Sequence, residues 1–250
     1  MPEPEPLPKR QLPGSRRQRL PGVRSLLAVC AHPDDESFGL GAVLSELGRR
    51  GAQVGLLCFT RGEASRLGVG QGVGGLAGAS LAQVRSAELE AAAAVLGLSY
   101  VELREYPDGH LDEVGIDVLA ADVGRLVGLH HPELVLVFDT GGVSGHSDHH
   151  RATQAALAGS NGLPVLAWAL ADSMAGTLNS ELGTNFVGRA AAEVDITVKV
   201  DRSRQREAIA CHHSQVADNP VLWRRLELQG DWEQLRWLRP PPTPLAGTSL

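Results

Sequence analysis

Apolar runs of strand length alternate with segments of helical periodicity along most of this chain. In residues 39–50, Leu40, Val43, Leu44 and Leu47 follow the spacing of one helical face. The predicted strands are residues 25–30, 53–59, 100–103, 133–138, 165–170 and 193–200, and the predicted helices are residues 39–50, 80–96, 116–129, 149–157 and 202–213. This alternation predicts an α/β fold, with a mostly parallel sheet covered by helices on both faces.

Polar residues gather directly after four of the predicted strands, at residues 32–36, 60–63, 107–110 and 139–150. The carboxyl ends of parallel strands share one edge of a sheet, and ligands of open α/β sheets bind beyond that edge. We therefore expect these four segments, which are distant in sequence, to converge on one rim of the sheet.

The first of these segments places an imidazole and three acids within five residues, between a strand and a helix. These residues are His32, Asp34, Asp35 and Glu36. The alternative is a solvated loop in which one aspartate caps the following helix, since acids favour helix N-termini. That alternative explains one acid but not the whole set.

The segment after the fourth strand contains His146, Asp148, His149 and His150. A polar loop with surface histidines is the alternative explanation of this segment taken alone. Two such segments at the strand ends of one sheet favour a metal site. Imidazole nitrogens and carboxylate oxygens are zinc ligands, and a catalytic zinc ion needs only three protein ligands. Neither segment contains cysteine, so a structural thiolate site is excluded there.

Residues 32–36 (HPDDE) together with residues 146–149 (HSDH) resemble the motifs of the LmbE-like, or PIG-L, family of zinc deacetylases. That family includes N-acetylglucosaminyl-phosphatidylinositol de-N-acetylases and the deacetylases of mycothiol and bacillithiol synthesis. Three weaker matches occur in the same order, at residues 60–63 (TRGE), 107–109 (PDG) and 212–215 (HHSQ). The resemblance implies a Rossmann-like fold. It also implies an enzyme that removes an N-acetyl group from an N-acetylglucosaminyl-type conjugate.

The resemblance also implies a role for each matching residue. It implies Zn²⁺ as cofactor, with Fe²⁺ as the alternative, because both metals accept this ligand set. It places the metal ligands at His32, Asp35 and His149 and the general base at Asp34. It makes His146 the acid or oxyanion partner and Asp148 the residue that orients and charges this histidine. Which group protonates the leaving amine, Asp34 or His146, stays open.

The chain departs from the family pattern at Ser147, where many members have proline, and at His150, which is a rival ligand beside His149. Arg61 and Asp108 are the candidate substrate-binding residues. Their alternatives are a surface charge and an ordinary turn, respectively. The glycine-rich residues 66–79 are a candidate specificity element, and Glu36 a candidate anchor of the loop.

The net charge of −6 argues against a nucleic-acid partner, which requires a basic stripe. No stretch approaches the length of a membrane span, and the three cysteines lack disulfide spacing. We therefore expect a cytoplasmic protein that acts on a small N-acyl amino sugar, with homo-oligomerisation open. The expected organisation is a disordered extension (1–22), one LmbE-like deacetylase domain (23–238) and a proline-rich tail (239–250).

Three other functions compete with this prediction. One is an amidase that acts on another N-acyl amine, such as a thiol conjugate or an antibiotic. Another is a Rossmann-like binding module without catalysis, which the absence of a G-x-G-x-x-G motif after the first strand disfavours. The last is a metal-binding or regulatory protein that has lost its activity. The presence of Asp34, the candidate general base, argues against this function.

Overall fold

The computed structural model describes residues 19–66, 79–217 and 219–242 of the 250-residue chain. The strands are β1 (Ser25–Cys30), β2 (Gln53–Thr60), β3 (Tyr100–Tyr106), β4 (Leu134–Phe138), β5 (Val165–Ala171), β6 (Gly188–Arg189), β7 (Ile196–Lys199) and β8 (Trp232–Arg239). The α-helices are α1 (Asp35–Phe38), α2 (Gly41–Arg49), α3 (Ala79–Leu96), α4 (Ile116–His130), α5 (Gly142–Gly145), α6 (Ser147–Gly159), α7 (Asp172–Leu182), α8 (Ser203–Cys211), α9 (His213–Val216) and α10 (Pro220–Gln229).

The sheet is mostly parallel, which confirms the predicted fold class. Its strand order is β3-β2-β1-β4-β5-β8-β7, and β6 pairs with β5 beside this path. The strands β1 to β5 pair in parallel, whereas β8 is antiparallel to both β5 and β7. Because β1 lies between β2 and β4, the direction of the chain's progress across the sheet reverses there. Such a switch point is the usual ligand site of an open α/β sheet.

Two hydrophobic cores lie on opposite faces of the sheet, because successive side chains of a strand point to opposite sides. In β1, Leu26 and Ala28 belong to one core, whereas Leu27 and Val29 belong to the other. All four are at most 2% exposed. A strand that is apolar on both faces fits only between two layers of helices, so this arrangement fixes β1 in the middle of the molecule.

Several elements of the second half of the chain were not predicted, and the longest of them are α7, α10 and β8. The strand β8 carries Glu233 at a fully buried position, where the alternation of a strand requires an apolar residue. This carboxylate is compensated by Arg202 and by the indole N–H of Trp168, which come from distant parts of the chain. The sequence alone therefore does not show the alternation of buried and exposed side chains that identifies β8 as a strand.

The predicted domain boundaries need correction at both ends. Leu20 is 1% exposed and packs into the larger core, so the folded part begins before residue 23. At the other end, Arg239 completes β8, and its guanidinium donates to the carbonyl of Leu157. Residues 1–18 and 243–250, to which most of the predicted extension and tail belong, lie outside the described residues.

The predicted helix 202–213 is interrupted at His212, where φ is −87° and ψ is 58°. Within the described residues, no helix has the length and apolarity that crossing a bilayer requires. Cys30 and Cys58 are buried free thiols, and Cys211 is a partly exposed free thiol.

Candidate metal and catalytic site

The two strongest sequence motifs meet at the switch point of the sheet. Residues 32–36 follow β1 and lead into α1, and residues 146–149, which come after β4 and α5, lead into α6. The strands β1 and β4 are hydrogen-bonded neighbours, so the loops that leave their carboxyl ends lie side by side. The predicted convergence at one rim of the sheet is therefore observed for these two segments.

Three side-chain atoms of this rim face one another, one each from His32, Asp35 and His149. The Nδ1 of His32 lies 3.1 Å from the Nε2 of His149, and that Nε2 lies 3.1 Å from the Oδ1 of Asp35. All three side chains are at most 10% exposed. By contrast, the His150 side chain is exposed and contacts the carbonyl of Thr140, so His149 is the histidine that the fold brings to this group.

The outer hydrogen bonds of both histidines determine which nitrogen carries a proton. The Nε2 of His32 lies 3.1 Å from a carboxylate oxygen of Asp108 and 3.2 Å from one of Asp148, so it carries the proton. The Nδ1 of His149 lies 3.0 Å from the carbonyl oxygen of Gly142, so it too is the N–H. In the neutral rings, two lone pairs and a carboxylate oxygen then point at one another. That donor set fits a divalent cation such as zinc, and its outer contacts are those of metal-bound histidines.

The charges around the group also favour a cation at this position. Burial lowers the pKa of His32, but hydrogen bonds to Asp108 and Asp148 outweigh it and raise this pKa to about 10. Burial raises the pKa of Asp35, but the histidines and backbone N–H groups hold it below the usual range. The backbone N–H groups of Ala31 and His32 both donate to the Oδ2 of Asp35 at 3.0 Å. This leaves its Oδ1 directed at His149.

Asp34 is adjacent to Asp35 but is held separately. Its φ of 130° is a conformation that side-chain-bearing residues rarely adopt, and such strain is concentrated at functional sites. The guanidinium of Arg85 donates to its Oδ2 at 3.0 Å. Burial raises the pKa of Asp34 to about 6, with Arg85 opposing the rise and Asp35 adding to it. A carboxyl group with a pKa near neutrality is suited to accept a proton.

Two buried groups hold Asp34 in place: Arg85, which the sequence did not mark as a site residue, and Glu36, the candidate anchor of the loop. Arg85 is 3% exposed and also donates to the carbonyl oxygen of Gly62 at 2.7 Å. Glu36 accepts the backbone N–H of Asp34 at 2.9 Å, and its other oxygen lies 2.7 Å from the Nε2 of His212. Glu36 and His212 are both fully buried. The anchoring role anticipated for Glu36 therefore has a contact to support it.

The structure corrects the expected partnership of Asp148 with His146. The Asp148 carboxylate bonds the Nε2 of His32 and accepts the backbone N–H groups of Gly109 and Leu111, at 2.7 and 3.1 Å. His146 instead accepts the backbone N–H of Asp148 on its Nδ1. Burial lowers the pKa of His146, and the neighbouring histidines lower it further, while Asp148 opposes this only in part. The lowered pKa favours the neutral ring of His146, and because its Nδ1 accepts a hydrogen bond, the Nε2 carries the proton in that form.

The two candidate substrate-binding residues also have different surroundings from those expected. Arg61 pairs with Glu105 and does not line the cavity described below, because its side chain leaves the rim toward β3. Asp108 does lie at the rim, but its carboxylate contacts His32 and accepts the backbone N–H of Ala64 at 2.8 Å. Most of the glycine-rich segment, at residues 67–78, lies outside the described residues.

A cavity of about 510 Å³ opens beside the facing atoms of His32, Asp35 and His149. Polar and apolar side chains divide its wall. The polar group includes Asp34, Ser65, Arg85, His146, Gln215 and Asn219, and the apolar group includes Phe38, Phe138, Val143, Trp168, Phe186 and Leu222. The cavity therefore offers hydrogen-bonding groups to one part of a ligand and an apolar surface to another.

Comparison with known proteins gives one family match. Residues 27–159, more than half of the chain, match the family model PIG-L, described as GlcNAc-PI de-N-acetylase. A curated relative from Kineococcus radiotolerans, 1D-myo-inositol 2-acetamido-2-deoxy-α-D-glucopyranoside deacetylase, is 34% identical over 168 residues. That alignment covers 56% of this chain and 46% of the relative. The chain thus spans about half the length of the first curated relatives that it matches.

Solved structures share the fold at low sequence identity. One is the N,N′-diacetylchitobiose deacetylase of Pyrococcus horikoshii, with a TM-score of 0.62, 22% identity, and coverage of 87% of this chain and 84% of that one. Another is the 4-carboxy-2-hydroxymuconate hydratase GalB of Pseudomonas putida, with a TM-score of 0.66, 18% identity, and coverage of 88% and 98%. One of these names denotes a deacetylase and the other a hydratase, so the fold alone does not select the reaction.

Proposed function

The chain belongs to the PIG-L family, and on this premise we propose that it is a zinc-dependent hydrolase that removes an N-acetyl group from an N-acetylglucosaminyl-type conjugate. The observation that carries the proposal is that a group of possible metal ligands and a separate carboxyl group occur at the same rim of the sheet. Three facing ligand atoms come from His32, Asp35 and His149, and the carboxyl of Asp34 lines the same cavity without being one of them. The family match and the name of the curated relative support the choice of reaction.

His32, Asp35 and His149 would hold the metal, with Asp108 and Asp148 orienting His32 from outside. A bound divalent cation supplies Lewis-acid polarisation of the amide carbonyl and of the attacking water. Zinc is proposed because two histidines and one carboxylate are a common catalytic zinc set, and Fe²⁺ accepts the same ligands. The family resemblance and the donor set support zinc.

Asp34 is placed to move the proton. Its Oδ2 is held by Arg85, so Oδ1 is the oxygen available to accept a proton from the attacking water. The water oxygen bonds to the carbonyl carbon, the C–N bond of the amide breaks, and the proton passes to the departing nitrogen. The products are a carboxylate and a free amine. A base with a pKa close to the working pH both accepts and returns a proton efficiently.

His146 lines the same cavity, and its lowered pKa favours the neutral ring. Because its Nδ1 accepts the backbone N–H of Asp148, its Nε2–H is the donor toward the cavity. In this role it donates a hydrogen bond to the carbonyl oxygen as negative charge develops there. Losing one donor of this kind typically costs about 3–4 kcal/mol of transition-state stabilisation.

The test is the release of acetate and amine from a panel of N-acetyl compounds by the zinc-loaded protein. The panel contains N-acetylglucosamine, its inositol glycoside, and a simple N-acetyl alkylamine as the control without a sugar. We expect equal amounts of acetate and amine from the sugar conjugates and very little of either from the control. Equal turnover of the alkylamine would favour the alternative amidase, and absence of metal binding would refute the proposal.

A further inference from the structure

The apolar wall of the cavity adjoins the metal-binding group. We call this surface the apolar arm and define it by Phe38, Phe138, Trp168, Phe186 and Leu222. The ring centroid of Phe138 lies 4.9 Å from that of His149 and 5.1 Å from that of Trp168. The arm therefore begins at one of the proposed metal ligands and reaches Trp168, which is 1% exposed.

Arg225 lies beside Trp168 in the apolar arm. Its guanidinium carbon is 5.2 Å from the ring centroid of Trp168, and the residue lines the cavity although it is only 4% exposed. Its Nη1 donates to the side-chain oxygen of Gln229 at 2.6 Å, and its Nη2 donates to the carbonyl oxygen of Phe38. Both acceptors are neutral.

This cation lacks a close counter-charge, unlike the other buried arginines of the described residues. Arg85 and Arg202 each form an ion pair, with Asp34 and Glu233, whereas no carboxylate in the described part of the chain lies within 4 Å of the Arg225 nitrogens. Burial lowers the pKa of Arg225 to about 10, and the more distant Glu233 compensates only in part. A buried cation without a partner is costly, so a negatively charged ligand group would be stabilised there.

The position of the reacting amide determines which part of the substrate faces each wall of the cavity. The carbonyl carbon carries two substituents, the sugar nitrogen and the acyl chain, and both must leave the metal-binding group in different directions. Sugar hydroxyls match the polar wall with Ser65, Gln215 and Asn219, and an acyl chain matches the apolar arm. Acetyl has a single methyl group beyond the carbonyl. Arg225 is connected to His149 through the rings of Phe138 and Trp168, so a single methyl group is too short to span that series of contacts.

Resting on the proposed function, we propose that the apolar arm binds an acyl chain longer than acetyl, whose terminal carboxylate pairs with Arg225. The substrate class then includes amino sugars that are N-acylated with one end of a dicarboxylic acid. Hydrolysis of such an amide adds the water oxygen to the carbonyl carbon and returns the proton to nitrogen. It releases the amino sugar and the free dicarboxylate. The methylene stem contacts the aromatic rings, and the distal carboxylate replaces the missing counter-charge.

Calorimetry of the product acids tests the arm without turnover. The probes are two pairs of equal chain length, adipate with hexanoate and suberate with octanoate, titrated into the zinc-loaded protein. We expect one dicarboxylate to bind at least tenfold more tightly than its monocarboxylate partner, since charge-assisted bonds to Arg are strong. The twofold statistical advantage of two identical ends is well below this ratio. A ratio of about two at every length would overturn the proposal.

Arg225→Met isolates the contribution of the guanidinium, and Arg224→Met is the matched control. Arg224 is the next residue on the same helix, but its side chain pairs with Glu181 and does not line the cavity. We expect the affinity ratio to fall to about two in Arg225→Met, to persist in Arg224→Met and to be partly retained in Arg225→Lys. Because each ratio is taken within one variant, a smaller folded fraction cancels. An unchanged ratio in Arg225→Met would overturn the proposal.

Hydrolysis of N-adipoyl- and N-hexanoylglucosamine gives the second readout. The ratio of their kcat/KM values is expected to exceed ten in the wild type and to collapse in Arg225→Met. If N-acetylglucosamine conjugates are hydrolysed while the diacid ratio stays near two, the arm proposal is wrong and the proposed function stands. If no amide is hydrolysed but the calorimetric ratio depends on Arg225, the proposed function is wrong, and the arm remains a carboxylate-binding site.

Discussion

The carboxylate of Asp148 lies 3.2 Å from the Nε2 of His32, on the side of the imidazole that faces away from His149. The same carboxylate accepts two backbone N–H groups, from Gly109 and Leu111. It is therefore fixed by the loop after β3 and, in turn, fixes the ring of His32. Through this contact, three segments that are distant in sequence determine the direction of the lone pair on the Nδ1 of His32.

Asp148→Asn should weaken zinc binding by about 10- to 100-fold, the usual effect of changing the outer partner of a metal-bound histidine. The amide is uncharged and has one acceptor oxygen instead of two, so it cannot accept from His32, Gly109 and Leu111 together as the carboxylate does, and it holds the His32 ring less firmly. The measurement is competition with a chromophoric chelator. Arg61→Ala is the control, because Arg61 pairs with Glu105 away from the cavity. Equal loss of affinity in both variants would contradict this assignment.

Asp34→Asn should lower kcat by about 10²- to 10⁴-fold while the protein keeps its zinc, because the amide cannot accept the proton of the attacking water. The variant preserves the size of the side chain beside Arg85. Steady-state kinetics together with metal analysis of the same sample provide the measurement. A variant that retains full turnover would remove Asp34 from the mechanism.

Glu36→Leu should lower the free energy of unfolding by about 3–5 kcal/mol, because it leaves His212 and the backbone N–H of Asp34 buried without their acceptor. Urea denaturation measures the loss. Glu181→Leu is the comparison. It removes a carboxylate that is 42% exposed and pairs with Arg224, and surface pairs of this kind contribute at most about 1 kcal/mol. Similar losses of unfolding free energy in the two variants would show that the buried Glu36–His212 pair contributes no more to stability than an exposed ion pair.

Leu20→Ala should cost about 2–5 kcal/mol of stability, the range for truncating a buried leucine. Val118→Ala, at a side chain that is 51% exposed, should change stability by less than about 0.5 kcal/mol. Thermal and urea denaturation of both variants check the prediction. If Leu20→Ala is as stable as the wild type, the folded part of the chain begins later than the structure places it.

A thiol reagent should modify one cysteine of the native protein and three after unfolding. Burial raises the pKa values of Cys30 and Cys58 well above that of a free thiol, and nearby acidic groups raise them further. Raising the pH to 9 should therefore leave both thiols unreactive in the native state. The partly exposed Cys211 is the expected site. Titration with Ellman's reagent counts the groups, and fast labelling of Cys58 at pH 9 would contradict its burial.

The strand–helix alternation and the two histidine–aspartate motifs were readable from sequence, because each is a local pattern. The partners of those motif residues were not. Arg85 lies in an alanine-rich helix, where it has the pattern of an ordinary surface charge, and only packing places it beneath Asp34. Asp148 is two residues from His146, yet the helix start at Ser147 turns its carboxylate toward His32.

The family match ends at residue 159, whereas the apolar arm takes Trp168, Phe186 and Leu222 from later elements. On the proposed function, every residue assigned to bond cleavage lies in the matched stretch, whereas Arg225 and three of the five residues of the apolar arm lie after it. Mutation after the matched stretch can change what is cleaved while the matched stretch keeps its means of cleaving it. Relatives with different leaving acids could arise in this way without rebuilding the reactive centre.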